Sequence, residues 1–192
     1  RGTGGIQISS ASNGQVTIDG SAITGGGGGD ASLNYYDEFN GTPSESPFAP
    51  GTDAVAIGDG ARAEGPESLA FGARVLVEGQ MGVVGGGVSN KILSGAAGNS
   101  RYGTISGGSN NMISGSQGST IGGGFRNFIS GTQTSGGSTA SYNTIGGGYN
   151  NYITGSDSTI AGGFVNAISG TNNTIAGGAY NSLGDVGSLG HF

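Results

Sequence analysis

Aliphatic residues recur along the second half of the chain at two alternating positions. Val84, Ile105, Ile121, Ile145, Ile160 and Ile175 hold the first. Eight residues after each come Ile92, Ile113, Ile129, Ile153, Ile168 and Leu183. Paired glycines stand two and three residues after every first aliphatic, and an asparagine stands six after it: Asn90, Asn111, Asn127, Asn151, Asn166 and Asn181. The starts are 21, 16, 24, 15 and 15 residues apart, so the basic period is fifteen with extra residues in some copies. An earlier stretch, from Ala54 to Gln80, has a period of fourteen: Ala56 matches Ala70, Ile57 matches Phe71, Ala61 matches Val75 and Ala63 matches Val77. Gly58, Gly72 and Gly86 share this spacing, as do Gly65 and Gly79.

Such repeats are too short for a helix–turn–helix unit, which takes about thirty residues or more. Their glycine and β-branched content also opposes helix. Each period therefore predicts one coil of a parallel β-solenoid: strand, Gly-Gly turn, strand, Gly turn, with coils stacked about 4.8 Å apart. The predicted core is two facing columns, including Ile105, Ile121, Ile145, Ile160 and Ile175 on one side and Ile113, Ile129, Ile153 and Ile168 on the other. The asparagine column reads as a structural ladder. A short amide can bond the coils above and below, and Asn tolerates left-handed backbone geometry. Aromatic residues recur outside the core columns, Phe125, Tyr149 and Phe164 at one index and Phe128 and Tyr152 at another. Coils this thin bury little apolar surface alone, so one such column is expected to pack against other chains of an oligomer.

The extra residues fall at one turn, after the second aliphatic. They include AAGNSRY at 96–102 and TQTSGGSTASY at 132–142. Insertions at one turn project from one edge of a solenoid, where binding loops or tolerant drift are both found. Arg101, Tyr102 and Tyr142 are the candidate ligand contacts there.

The first 53 residues are different. Residues 1–24 alternate at Ile6 and Ile8 and at Val16 and Ile18, and predict two short strands joined at Asn13-Gly14. Two successive rungs of period ten are the alternative. Five glycines at 25–29 make a joint, and 25–53 reads as an irregular Gly/Pro-rich connector with aromatic anchors Tyr35, Tyr36, Phe39 and Phe48. The organisation expected is a β-rich attachment segment at 1–24, this connector at 25–53, roll repeats at 54–187 and a tail at 188–192.

Composition narrows function. Glycine contributes 46 of 192 residues without a Gly-X-Y period, which excludes collagen. Residues 1–80 hold ten acids and three arginines, net −7; residues 81–192 hold two acids and three bases, net +1, giving the total of −6. No basic patch exists to neutralise phosphates, so nucleic acid is not an expected partner. Cysteine is absent, which removes disulfides, thiol catalysis and Cys-type zinc sites. No apolar run has the length of a membrane-spanning helix, so no membrane insertion is expected. The sole histidine, His191, lies in the tail, where nothing fixes it for a Ser-His-Asp arrangement. Acid pairs such as Asp37/Glu38 and Glu64/Glu67 lack a sugar cleft for glycosidase chemistry. GGGGGD at 25–30 is not repeated as a calcium nonapeptide would be. No catalytic residue, cofactor or metal is therefore expected. Thr104, Thr120, Thr144, Thr159 and Thr174 form an outward column. A water-ordering, ice-binding face is a minor alternative; plain β-propensity explains the column as well.

The motif A-x-A-x-G at Ala54–Gly58 and Ala61–Gly65, with S-x-A-x-G at Ser68–Gly72, resembles the head repeats of trimeric autotransporter adhesins, the YadA-like heads. The TIGGGxxNxIxG block is similar to the Gly/Asn-rich variant of such heads, which also occurs in bacteriophage tail and head fibres. The resemblance covers about 54–187. It implies a trimeric, left-handed parallel β-roll that presents a binding surface. No heptad stalk or membrane-anchor barrel follows the repeats in this sequence, and the first residues resemble an attachment segment of phage structural proteins. The expectation is thus a non-enzymatic, homotrimeric fibre, spike or decoration protein on a virion surface, attached through its N-terminal segment to a larger assembly and binding a host-surface glycan or protein. A head fragment of a bacterial cell-surface adhesin is the alternative.

Overall fold

The computed structural model describes residues 8–10, 16–18, 45–94, 100–131 and 141–184. The chain divides into two units, Arg1–Asp30 and Ala31–Phe192. In the first, β1 (Ile8–Ser10) and β2 (Val16–Ile18) pair antiparallel, with Ile8 opposite Ile18 and Ser10 opposite Val16. The antiparallel pairing excludes a pair of stacked rungs, which would run parallel; Asn13-Gly14 between the two strands lies outside the described residues.

The second unit is an all-strand roll of eight coils. In chain order the coils are β3 (Val55–Ile57) with β4 (Arg62–Ala63), β5 (Leu69–Phe71) with β6 (Leu76–Val77), β7 (Val83–Val84) with β8 (Lys91–Leu93), and β9 (Thr104–Ile105) with β10 (Met112–Ser114). Then come β11 (Thr120–Ile121) with β12 (Phe128–Gly131), β13 (Thr144–Ile145) with β14 (Tyr152–Ser156), β15 (Thr159–Ile160) with β16 (Ala167–Thr171), and β17 (Thr174–Ile175) with β18 (Ser182–Gly184). Odd strands stack into one parallel eight-stranded sheet and even strands into another. A third ladder of single bridges runs from Ala73 through Val88, Ser109, Phe125, Tyr149 and Phe164 to Ala179.

The core follows from the period-two alternation of each strand. Ile105, Ile121, Ile145 and Ile160 stack on one side and Ile92, Ile113, Ile129, Ile153 and Ile168 on the other, all fully buried. A buried isoleucine contributes about 1.5–3 kcal/mol, so these columns are the chief apolar support of the roll. The columns taper at both ends. Ala56, Ala70 and Ala63 occupy the first coils, and Leu183 in the last is 38% exposed.

Fourteen-residue and fifteen-residue coils join without a break in the sheets. Ala70 pairs with Val84, and Leu76 with Lys91. The added residue sits in the Gly turn between them: Ala73 pairs with Val88, its N–H donates to Gly87 O, and Gly72 lies against Gly87. Gly86, which shares the fourteen-residue spacing with Gly58 and Gly72, has moved out into open space. The register also reaches back beyond Ala54. Phe48 bridges Arg62, so residues 45–53, counted in sequence with the connector, already lie along the first coil.

The coils turn at two corners, and at most of them one residue adopts a left-handed backbone; Tyr142, at the second-corner position before β13, does not. At the first corner these are Arg74, Ser89, Asn110, Arg126, Asn150, Val165 and Tyr180, with φ from 53° to 57°. At the second they include Glu67, Met81, Tyr102, Gly118, Asp157 and Asn172. The recurring asparagines are not among them; each follows the left-handed residue of the first corner and turns its side chain inward.

Candidate binding surface

Inside the first corner the asparagines form a continuous chain of hydrogen bonds. Asn111 N and Nδ2 donate to Asn90 Oδ1 at 3.0 and 3.2 Å, and the same pair of bonds recurs from Asn127 to Asn111, Asn151 to Asn127, Asn166 to Asn151 and Asn181 to Asn166. Each Nδ2 also donates to the glycine carbonyl four residues earlier, as from Asn90 to Gly86 at 2.9 Å. From Asn90 to Asn166 it reaches a glycine carbonyl of the next coil as well. Asn90 through Asn166 are fully buried. In the two coils before, Ala61 and Val75 fill the same column. The change from aliphatic to amide coincides with the added glycine. The longer turn aims a carbonyl inward, and a buried carbonyl needs a donor.

A second internal polar ladder lies behind the other corner, and the sequence reading missed it. Ser119 Oγ donates to Ser141 O, Asn143 N donates to Ser119 Oγ, Ser158 N to Asn143 Oδ1 and Asn173 N to Ser158 Oγ, at 2.7–3.2 Å. Ser116 Oγ joins Ser119 Oγ. The signal was present in the repeats: each of Thr120, Thr144, Thr159 and Thr174 is preceded by Ser or Asn. Among the described residues no buried side-chain nitrogen or oxygen lacks a partner. Both ladders are internal architecture.

Outward from the first corner the aromatic columns stack. Phe125–Tyr149, Tyr149–Phe164 and Phe128–Tyr152 lie with ring centroids 5.5, 5.0 and 5.0 Å apart and near-parallel planes, and Tyr180 meets Phe164 edge-on at 5.4 Å. Arg126 lies over Phe125 at 5.0 Å. Tyr149, Tyr152 and Phe164 remain about 40% exposed and Tyr180 72%. This corner is a continuous aromatic ridge over coils five to eight. The threonine column lies on the odd-strand sheet, with Thr104 beside Thr120, Thr120 beside Thr144, Thr144 beside Thr159 and Thr159 beside Thr174. The strand position across the intervening isoleucine carries Ser106, Gly122, Gly146, Ala161 and Ala176, so the hydroxyl rank is single.

The second corner is the insertion edge. Residues 95–99 and 132–140 lie outside the described residues, as do Tyr35, Tyr36, Phe39, the glycine joint, His191 and the tail. The flanks are fixed. Ser94 N and Oγ donate to Glu78 Oε2, and Ser100 and Ser141 are buried. Arg101, Tyr102 and Tyr142 come to one edge of the roll and are exposed, Tyr102 by 55% and Tyr142 by 59%. Phe48 is also half exposed, and its ring lies under the Arg62 guanidinium, which in turn pairs with Glu64. Among the described residues no group of three or more His, Asp or Glu is placed to hold a metal ion.

Compared with known families, residues 49–74 match the model described as the YadA head domain repeat, in two copies. These copies run from the residue after Phe48 to the left-handed Arg74, through β3, β4 and β5. None of the curated proteins and none of the solved structures compared with the chain gives a match.

Proposed function

We propose that this chain is a non-enzymatic adhesive head, a β-roll that assembles as a homotrimer and binds a surface ligand outside the cell. One observation carries the reading: the two YadA-like head repeats at 49–74 continue in unbroken register into six further coils. The roll supplies rigid, repeated faces. The aromatic ridge of Phe125, Tyr149, Phe164, Phe128 and Tyr152 is the surface that suits contact between copies, since half-exposed rings in line along the axis gain most by meeting their equivalents. The insertion edge then faces away in triplicate, and three equal sites give avidity for a ligand repeated on a surface.

The family match favours a bacterial cell-surface adhesin over a virion fibre. The virion setting, with attachment through the first residues, rests on the likeness of residues 1–24 to phage attachment segments, and no relative supports it. The experiment has two parts. Light scattering on the purified chain should return a mass near three chains. Replacing loops 94–103 and 131–142 together should then abolish adherence to the target surface while that mass is kept. A stable monomer refutes the trimer, and adherence retained after the swap refutes the placement of the site.

A further inference from the structure

We propose that the first two coils are a yielding section of the roll, which opens from its N-terminal side while the coils that follow stay closed. The interior is graded along the chain. The two core positions of successive coils hold Ala56 and Ala63, then Ala70 and Val77, then Val84 and Ile92. From the fourth coil to the seventh both positions are isoleucine, from Ile105 and Ile113 to Ile160 and Ile168. The large apolar side chains of the first two coils, Val55, Ile57, Leu69 and Phe71, lie on the other side of their strands and stay partly exposed. Alanine buries far less surface than isoleucine, and the stability of a stacked repeat is close to a sum of its coils and the contacts between neighbours. The first coils are therefore the weak end of the stack.

The polar ties follow the same gradient. The amide ladder begins at Asn90, in the third coil, and from there each step adds side-chain bonds between neighbouring coils. The second ladder begins at Ser100, whose Oγ accepts from Ser116 N. Neither reaches the first two coils, where the buried Ser68 Oγ donates to Gly65 O of its own turn. The backbone ladder still joins these coils, with Val55 N donating to Ser68 O and Arg62 N to Val75 O, both at 2.9 Å. Glu78, which accepts from Ser94 at 3.2 Å, ties the second coil to the third at one edge. A weak coil at the end of a stack loses only one interface when it opens, so it can open alone. The preceding chain enters at this end: Glu45 N donates to Asp59 Oδ1, and Gly60 N to Glu45 O. A load drawn through the residues before Glu45 meets the weakest coil first. Yielding there lengthens the molecule while the aromatic ridge over coils five to eight keeps its form.

The test is amide hydrogen exchange on the full chain, under conditions where it is folded. Val55, Arg62 and Leu69 form one group of amides, and Thr120, Phe128 and Thr144 another; all six donate to a carbonyl of the next coil. Corrected for intrinsic rates, the first group should exchange about a hundredfold faster than the second, the effect of three or four missing buried methylenes. Ala63→Gly should speed the first group by about tenfold. Asn151→Val should speed the second group and leave the first unchanged, because the first coils open without disturbing the fifth to seventh. Ile129→Val is a milder change in the same block with the same expectation, and it covers the case in which Asn151→Val does not fold. Drawn from its two ends in optical tweezers, the chain should also lengthen by about 100 Å at low force before the main rupture, the reach of residues 49–80 when extended. Three results overturn the proposal. The first is protection of the two groups within about threefold of each other, the mark of one cooperative unit. The second is a first group sped as much as the second by Asn151→Val or Ile129→Val. The third is a single rupture with no earlier lengthening.

Discussion

Replacing Asn151 by valine tests the link between the longer Gly turn and the amide column. The Asn151 amide donates to Asn127 Oδ1, Gly147 O and Gly163 O at 3.0, 3.0 and 3.1 Å, so its two hydrogens serve three acceptors. Its Oδ1 accepts from Asn166 N and Nδ2. Valine keeps the volume and the backbone N–H to Asn127. Gly163 O keeps the Tyr149 N–H, and Asn127 Oδ1 keeps the Asn151 N–H. Gly147 O and Asn166 N lose the bonds Asn151 gave them. Each buried orphan costs about 1–3 kcal/mol, and the added apolar burial returns about 1 kcal/mol, which leaves a net loss of about 3 kcal/mol per chain. For a chain of this size that is a fall of about 10 °C in Tm. Urea unfolding and amide exchange at Asn166 read the effect globally and locally. Deleting Gly147 in the N151V background should restore part of the loss, because the shortened turn then resembles the coil that already carries Val75. A loss below about 1 kcal/mol in N151V, with no local rise in exchange, would show that the column is packing and not carbonyl satisfaction.

Three other substitutions follow from the corners and the core. Val165 holds a φ of 53°, which a β-branched residue tolerates poorly; Val165→Asn, matching Asn150 in the coil before, should raise stability by about 1 kcal/mol in urea unfolding. Gly155→Ala should be among the most damaging single changes, at several kcal/mol, since φ is 143° and the new Cβ would lie 1.8 Å from Gly170 O; loss of folded protein on a thermal ramp is the readout. Ile129→Val, at the middle of a fully buried column, should cost only about 0.5–1.5 kcal/mol by the same measurement.

The repeats made the roll legible because a solenoid writes its third dimension as a period. Ile113 and Ile129 lie sixteen residues apart in the chain and opposite each other in the sheet, with the same residue kind demanded by the same surroundings. The amide column was legible for that reason too. The Ser/Asn column at 119, 143, 158 and 173, buried in its first three members, was equally periodic, yet small polar residues beside a strand read as solvent-facing until burial is known.

What the sequence by itself determined was therefore the coil length, the two aliphatic columns and the place of the insertions, all of which are local periodicities. Tertiary structure alone decided three things. It put positive φ on the residue before each asparagine whatever its side chain and whatever the cost: Arg126, Asn150, Val165 and Tyr180 all adopt it because stacking on the neighbouring coil imposes the corner. It assigned the fifteenth residue to the Gly turn, since pairing of Ala73 with Val88 outweighs the spacing that links Gly72 to Gly86. It also laid the Tyr142 ring over Gly118, residues far apart in the chain, in the space that a side chain at 118 would fill.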